Sequence, residues 1–303
     1  MTDLSTHPQH QFQPWIDPVF AAGGIEVHIL RGDLFHPWIQ GNKWYKLRNY
    51  ARQARQQQSK GFLSIGGAWS NHLLALASYA SEAGLKCRFL IRGERKEWEV
   101  HPPIRRLQKS GVELIPVSRT EFREITATGF PPQRFEDSCD DYTWIPLGAS
   151  SAGTIADTAD WARHIQSQLR FTDLVIPAAS GGTCAGMLSG LEATHRVHSI
   201  DVLGSKGKLA ETVENLCMEA GSTRRAELVW HGNYDFGGYA GTSDLLKDFI
   251  KKTHAEHNIP TEHVYSGKTF FAVSDLAAKN YFFQGSKILC IHTGGIFDWN
   301  SML

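Results

Sequence analysis

The sequence has no surplus of either charge, no paired cysteines and no long apolar run, and each absence closes off a class of protein. Lys plus Arg number 31 and Asp plus Glu number 31, so the formal net charge is zero with histidine neutral. A neutral chain has no electrostatic pull toward nucleic acid or an anionic membrane, and neither is expected as a partner. The five cysteines (Cys87, Cys139, Cys184, Cys217, Cys290) are odd in number and form no C-x-x-C pair. A complete disulfide framework is therefore excluded, and a reducing compartment, the cytoplasm, is the expectation. No apolar run approaches the roughly 18 residues of a membrane span. Positions 1–15 carry two His, two Pro and three Gln, with no apolar core and no Arg-rich amphipathic pattern, which argues against a signal or transit peptide. The 14 histidines show no H-E-x-x-H and no Cys/His ladder, so no metal site is expected. There is no G-x-S-x-G elbow and no G-x-G-x-x-G followed by an acidic residue, which disfavours a hydrolase and a dinucleotide fold.

What is present is an alternation. Short apolar runs predict strands over 25–30, 61–65, 87–91, 112–117, 142–147, 173–178, 199–203, 227–231 and 287–291. Helical spacing predicts helices over 44–58, 71–83, 156–169, 183–193, 208–220, 245–257 and 270–283. Gly84 follows the second of these as a C′ residue. Strands alternating with helices of this length imply an α/β protein with parallel sheets, whose ligand edge lies at the strand C-termini. The stretch 118–141, with two prolines and several charges, reads as a long surface excursion. The small residues at 148–153 mark a domain boundary.

Four places could carry chemistry. In Gly41-Asn42-Lys43-Trp44-Tyr45-Lys46-Leu47, Asn42 is a good N-cap, and Lys43 sits in a helical first turn where the dipole opposes its charge. That placement suits an amine that must lose its proton to act as a nucleophile. The alternative is an ordinary basic helix with Lys46, Arg48, Arg52 and Arg55 as its wet face. In Ser64-Ile65-Gly66-Gly67-Ala68-Trp69-Ser70-Asn71-His72, a strand passes into a helix capped by Ser70 or Asn71, whose free N–H groups can hold a carboxylate. In Pro177-Ala178-Ala179-Ser180-Gly181-Gly182-Thr183-Cys184, a glycine-rich turn opens a helix and offers two hydroxyls, the composition of a phosphate cradle without a P-loop lysine. Cys184 fits best as a small residue packed behind that turn. The fourth place is dispersed over Gly237-Gly238-Tyr239, Val264-Tyr265-Ser266-Gly267-Lys268 and His292-Thr293-Gly294-Gly295. Each of these pieces, taken singly, can also be a plain capped turn.

In order and spacing, GNKWYKL, SIGGAWSNH, ASGGTCAGM, VYSGK and HTGG resemble the pyridoxal-phosphate enzymes of fold type II, the tryptophan-synthase-β-like fold, from about Leu30 to Ile296. Within them the chain is most similar to the 1-aminocyclopropane-1-carboxylate deaminase and D-cysteine desulfhydrase branch. The resemblance implies two open twisted parallel-sheet domains with flanking helices: a large cofactor-binding domain of 1–47 plus 154–303, and a small domain of 48–153. It implies pyridoxal 5'-phosphate as cofactor, with Lys43 the lysine that carries it. Asn71 matches the residue beside the cofactor ring, and Ser180, Gly181, Gly182 and Thr183 match the phosphate loop. Ser70, Asn71 and His72 match the substrate-carboxylate site, with Ser70 also an acid/base hydroxyl. Tyr265 and Tyr239 match the two substrate-facing tyrosines, and either Ser266 or Thr293 faces the pyridine nitrogen. Cyclopropane deaminases of the branch have Glu after the tyrosine and Leu before the final Gly-Gly; Ser266 and Thr293 follow the desulfhydrases. A hydroxyl leaves the ring a weaker electron sink than a carboxylate does, sufficient for β-elimination. The implied activity is thus a lyase giving pyruvate, ammonia and sulfide from D-cysteine, with cyclopropane deamination as the alternative. A catalytically silent binder of the cofactor or an anion, and a nucleotide-binding oxidoreductase, are the readings from other classes. The branch further implies a homodimer acting on a small amino acid. Gln40, in place of the first of two glycines, and the bulky Trp44-Tyr45 depart from the branch pattern.

Overall fold

The computed structural model describes residues 2–131, 133–135, 141–223 and 226–297; Cys139 lies outside them. Two sheets organise these residues. The larger has the order β1 (Phe12–Pro14), β2 (Glu26–Leu30), β10 (Lys287–Ile291), β7 (Asp173–Ala178), β8 (Arg196–Asp201), β9 (Glu227–His231). All its pairs are parallel except the edge pair β1–β2. The smaller sheet is wholly parallel, in the order β5 (Glu113–Val117), β4 (Lys86–Arg92), β3 (Gly61–Gly66), β6 (Tyr142–Ile145). The α/β class with parallel sheets is as expected from the alternation. Central strands such as β3 are buried along their whole length, which is why they read as unbroken apolar runs rather than alternating ones. No helix among the described residues is long and apolar enough to cross a membrane.

Several elements differ from the expectation, each for a local reason. The eighth strand spans Arg196–Asp201 rather than 199–203, because polar Arg196 and His198 are recruited to a buried Asp173. The last helix, Ser266–Ala278, starts four residues early: the Glu262 carboxylate accepts the N–H groups of Val264, Tyr265 and Ser266 and serves as its cap. The stretch 118–141 is not a plain excursion. It contains the helix Arg119–Thr128, closed by a Ser118/Glu121 capping box, with Ile125 and Phe135 buried against the small sheet. Gly41, not Asn42, is the N-cap of the helix Asn42–Gln56. Its φ of 54° and the approach of the Thr293 backbone, 2.5 Å from where a Cβ would stand, leave room for glycine alone.

The wet face assigned to that helix is also wrong for two of its four residues. Lys46 is 1% exposed and Arg48 4%. The helix Ala152–Gln168 packs on this side, so the cations are paired inside: Arg48 donates to Asp160 at 3.0 Å and to the Thr6 carbonyl at 2.6 Å. Arg52 and Arg55 stay exposed. Four described cysteines, Cys87, Cys184, Cys217 and Cys290, are buried.

Candidate active site

A cavity of about 290 Å³ lies where the C-terminal ends of strands from both sheets converge, the edge that parallel topology leaves for ligands. Its wall includes Lys43, the Gly67–His72 turn after β3, the Pro177–Cys184 turn after β7, and Thr293 beyond β10.

Lys43 occupies the first turn of the helix Asn42–Gln56, a poor place for a cation. Its Nζ donates to Asn42 Oδ1 at 2.7 Å, and Asn42 in turn donates to Thr183 Oγ1 at 2.8 Å. Burial lowers the amine from its ordinary 10.5 to about 8, with the Glu262 charge opposing the shift. Such an amine is a usable nucleophile near neutrality.

The turn after β7 runs into the helix Gly182–Gly190, with Gly181 as N-cap at φ 78°. Ser180, Gly181 and Thr183 line the cavity; Gly182 is packed behind them against Ser150 and Lys46. Lys46, expected on a wet helix face, belongs to this region instead. Its Nζ donates to Gly148 O at 2.8 Å, Ser150 Oγ at 2.6 Å and Ser180 Oγ at 3.3 Å. Burial and the neighbouring Lys43 hold its ammonium well below the usual lysine range. The expected phosphate cradle without a lysine therefore has one, reached from another helix. An i+3 spacing from Lys43 was the available clue.

Ser70 caps the helix Asn71–Glu82, accepting the Leu73 N–H. The N–H groups of Asn71 and His72 are thereby left without a protein acceptor among the described residues, at a positive dipole end. His72 lines the cavity, 3% exposed. Ser64 Oγ donates its one proton to Ile145 O at 2.9 Å, so it must accept from His72 Nε2–H, also at 2.9 Å. The imidazole is thus fixed as the Nε2–H tautomer. Burial, with Lys43 and Lys46 nearby, drops it to about 3, so it is neutral.

Tyr265 and Tyr239 both line the cavity, ring centroids 6.4 Å apart. Burial raises both phenols, and a hydrogen bond between them raises Tyr265 and lowers Tyr239. Of the two hydroxyls expected at the ring nitrogen, Thr293 reaches the cavity and Ser266 does not. Ser266 Oγ donates to Glu262 Oε1 at 2.9 Å and is fully buried. Glu262, unremarked in the sequence, takes it because it caps the same helix.

The donor set suits a phosphorylated aldehyde. It offers one amine able to deprotonate, a helix-opening turn with two hydroxyls and a second lysine amine behind it, and a second helix N-terminus for a carboxylate. This is the arrangement of an enzyme that binds its cofactor through a lysine at one end and a phosphate at the other.

Comparison with known proteins agrees. The family model "pyridoxal-phosphate dependent enzyme" matches residues 24–294. The chain is 28% identical to the mitochondrial bifunctional D-cysteine desulfhydrase/1-aminocyclopropane-1-carboxylate deaminase of Arabidopsis thaliana, covering 90% of this chain and 73% of that one. It is 27% identical to the 1-aminocyclopropane-1-carboxylate deaminase of Rhizobium radiobacter, covering 90% and 88%. A crystal structure of an ACC deaminase homologue superposes with a TM-score of 0.80 at 26% identity, over 99% of this chain and 95% of that one. The chain belongs to the pyridoxal-phosphate-dependent enzymes, in the fold type II architecture.

Proposed function

We propose that the protein is a lyase of the D-cysteine desulfhydrase kind, converting a small amino acid to pyruvate and ammonia with loss of its β-substituent. The observation that carries this reading is the composition of the cavity wall: Lys43, Thr293 and two tyrosines are present, and no carboxylate among the described residues lines it. Pyridoxal phosphate, when bound, supplies an electron sink for the carbanion formed at the substrate's Cα. Ser180, Gly181, Thr183 and the helix they open would hold its phosphate, with Gly182 and Lys46 supporting the turn from behind. Asn71 and Thr293 would flank its ring, and Lys43 would bind it covalently. The N–H groups of Asn71 and His72, with Ser70, would hold the substrate carboxylate. Lys43 would also serve as the base for the Cα proton, a task its depressed pKa suits. Ser70 is the acid/base hydroxyl. Tyr265 and Tyr239 would face the substrate side chain and exclude water.

The same reading divides the chain into a large domain of 1–47 plus 154–303 and a small one of 48–153, supported by the division of strands between the two sheets. It also takes the enzyme to be a cytoplasmic homodimer, the compartment supported by the odd, unpatterned cysteines and the dimer by the branch. Size-exclusion chromatography with light scattering tests the dimer.

The second reading, cyclopropane deamination, is favoured by the names of the relatives. A panel assay separates the two: D-cysteine gives pyruvate and sulfide, whereas 1-aminocyclopropane-1-carboxylate gives 2-oxobutanoate without a leaving group. The lysine assignment is tested by reducing the loaded protein with borohydride and mapping the labelled peptide. The label is expected on Lys43 and absent in Lys43→Ala. A label elsewhere, or none in the wild type, refutes the assignment.

A further inference from the structure

Arg92 has no role in the reading above, yet it lines the same cavity. It is the last residue of β4; Ile91 before it is in register with Gly66, which places Arg92 alongside the turn that leads to Ser70. Its guanidinium carbon lies 5.5 Å from the centre of the Phe122 ring, which also lines the cavity. Phe122 belongs to the helix Arg119–Thr128, so this side of the wall is built from the stretch read in sequence as a surface excursion. Across the opening, the Arg92 charge is felt by the Tyr239 phenol, whose acidity it favours. No carboxylate among the described residues pairs with Arg92, and none lines the cavity.

The other charges of the site are already matched. A cofactor phosphate meets the turn at Ser180, Gly181 and Thr183, Lys43 is taken by the cofactor, His72 is neutral, and the helix at Asn71 meets one carboxylate. Arg92 is left as a permanent cation on the wall. It is steadied by an aromatic face and offers a planar fork of donors that fits a carboxylate, phosphate or sulfonate.

We propose that Arg92 is a specificity residue that reads a second acidic group, so that the substrate class is an α-amino acid whose side chain ends in an acid. This rests on the β-elimination proposed above and not on D-cysteine as its substrate. For an acidic leaving group X the balanced change is X–CH2–CH(NH3+)–COO− plus water to pyruvate, ammonium and HX. The Cβ–X bond breaks, X departs with the bonding pair and a proton, and no oxidant or reductant is needed.

The test uses the loaded enzyme and two readouts. The first is binding, followed by the change in the visible band on titration with D- and L-aspartate and with D- and L-alanine. For one enantiomer the wild type is expected to bind aspartate about tenfold tighter than alanine, the lower end for a charge-assisted pair because the site is open to water. In Arg92→Gln that ratio falls to about one, and Arg92→Lys restores part of it. The second readout is pyruvate release from O-phosphoserine against β-chloroalanine, whose ratio of kcat/KM falls about tenfold in Arg92→Gln. The proposal is overturned if the wild type binds alanine as tightly as aspartate. It is equally overturned if Arg92→Gln weakens both amino acids alike, since Arg92 would then serve the α-carboxylate. A wild type that acquires no visible band with pyridoxal phosphate would instead sink the cofactor assignment beneath it.

Discussion

The perturbed amine of Lys43 sets how cofactor loading must depend on pH. Imine formation needs the neutral amine. With a pKa of about 8, roughly 9% of Lys43 is neutral at pH 7, against about 0.03% for a lysine at its ordinary 10.5, an advantage of roughly 300-fold. The apoprotein mixed with pyridoxal phosphate in a stopped-flow spectrometer should therefore load tenfold faster per pH unit below 8 and level off above it. Because the Glu262 charge raises the amine, Glu262→Gln should move the midpoint to lower pH. A loading rate that keeps climbing past pH 9 would show that Lys43 is solvated and ordinary, and would refute the argument from burial.

Acid should destabilise the apoprotein for a related reason. His10 and His231 are lowered to about 4 and His72 to about 3, chiefly by burial. Between those values and 6.5 the unfolded chain binds protons that the folded one does not, so stability is full above pH 6.5 and falls as pH drops toward 4. The slope is about 1.4 kcal/mol per pH unit for each histidine, measured as urea midpoint against pH. His72→Gln should flatten that slope, and an unaltered slope contradicts the assigned neutrality. A second variant probes packing. A Cβ at Gly186 would stand 1.9 Å from Thr158 Oγ1 and 2.4 Å from Thr158 Cβ, where the helices Ala152–Gln168 and Gly182–Gly190 touch. Gly186→Ala should lose about 1–3 kcal/mol in chemical denaturation and weaken cofactor binding, because the same helix opens at the phosphate turn. Wild-type stability in that variant would show that the contact is looser than drawn.

Much of this was legible along the chain. Buried parallel strands announce themselves as unbroken apolar runs, and the strands Asp173–Ala178 and Lys287–Ile291 stand where the runs predicted them, as does the edge strand Glu227–His231. Glycine-rich turns between such a strand and a helix are equally local signals, which is why Ser70, Gly181 and Thr183 could be singled out. Features that depend on side-chain reach were not legible. The helix start at Ser266 depends on a carboxylate four residues upstream, and the short helix Pro102–Lys109 and the edge strand Phe12–Pro14 are too brief to show a period.

The order and spacing of GNKWYKL, SIGGAWSNH, ASGGTCAGM, VYSGK and HTGG carried the resemblance that implies the chemistry, since a lysine in a first helical turn and glycine-rich turns that open helices are properties of short segments. Only the tertiary structure decided which groups stand together. Lys46 becomes a buried amine behind the turn at Ser180–Thr183 because a second helix covers it. Ser266 is withdrawn from the cavity because Glu262 binds it, and Arg92 enters the wall because β4 lies beside β3. Burial and opposition across a cavity arise between segments distant in the chain, and no single segment encodes them.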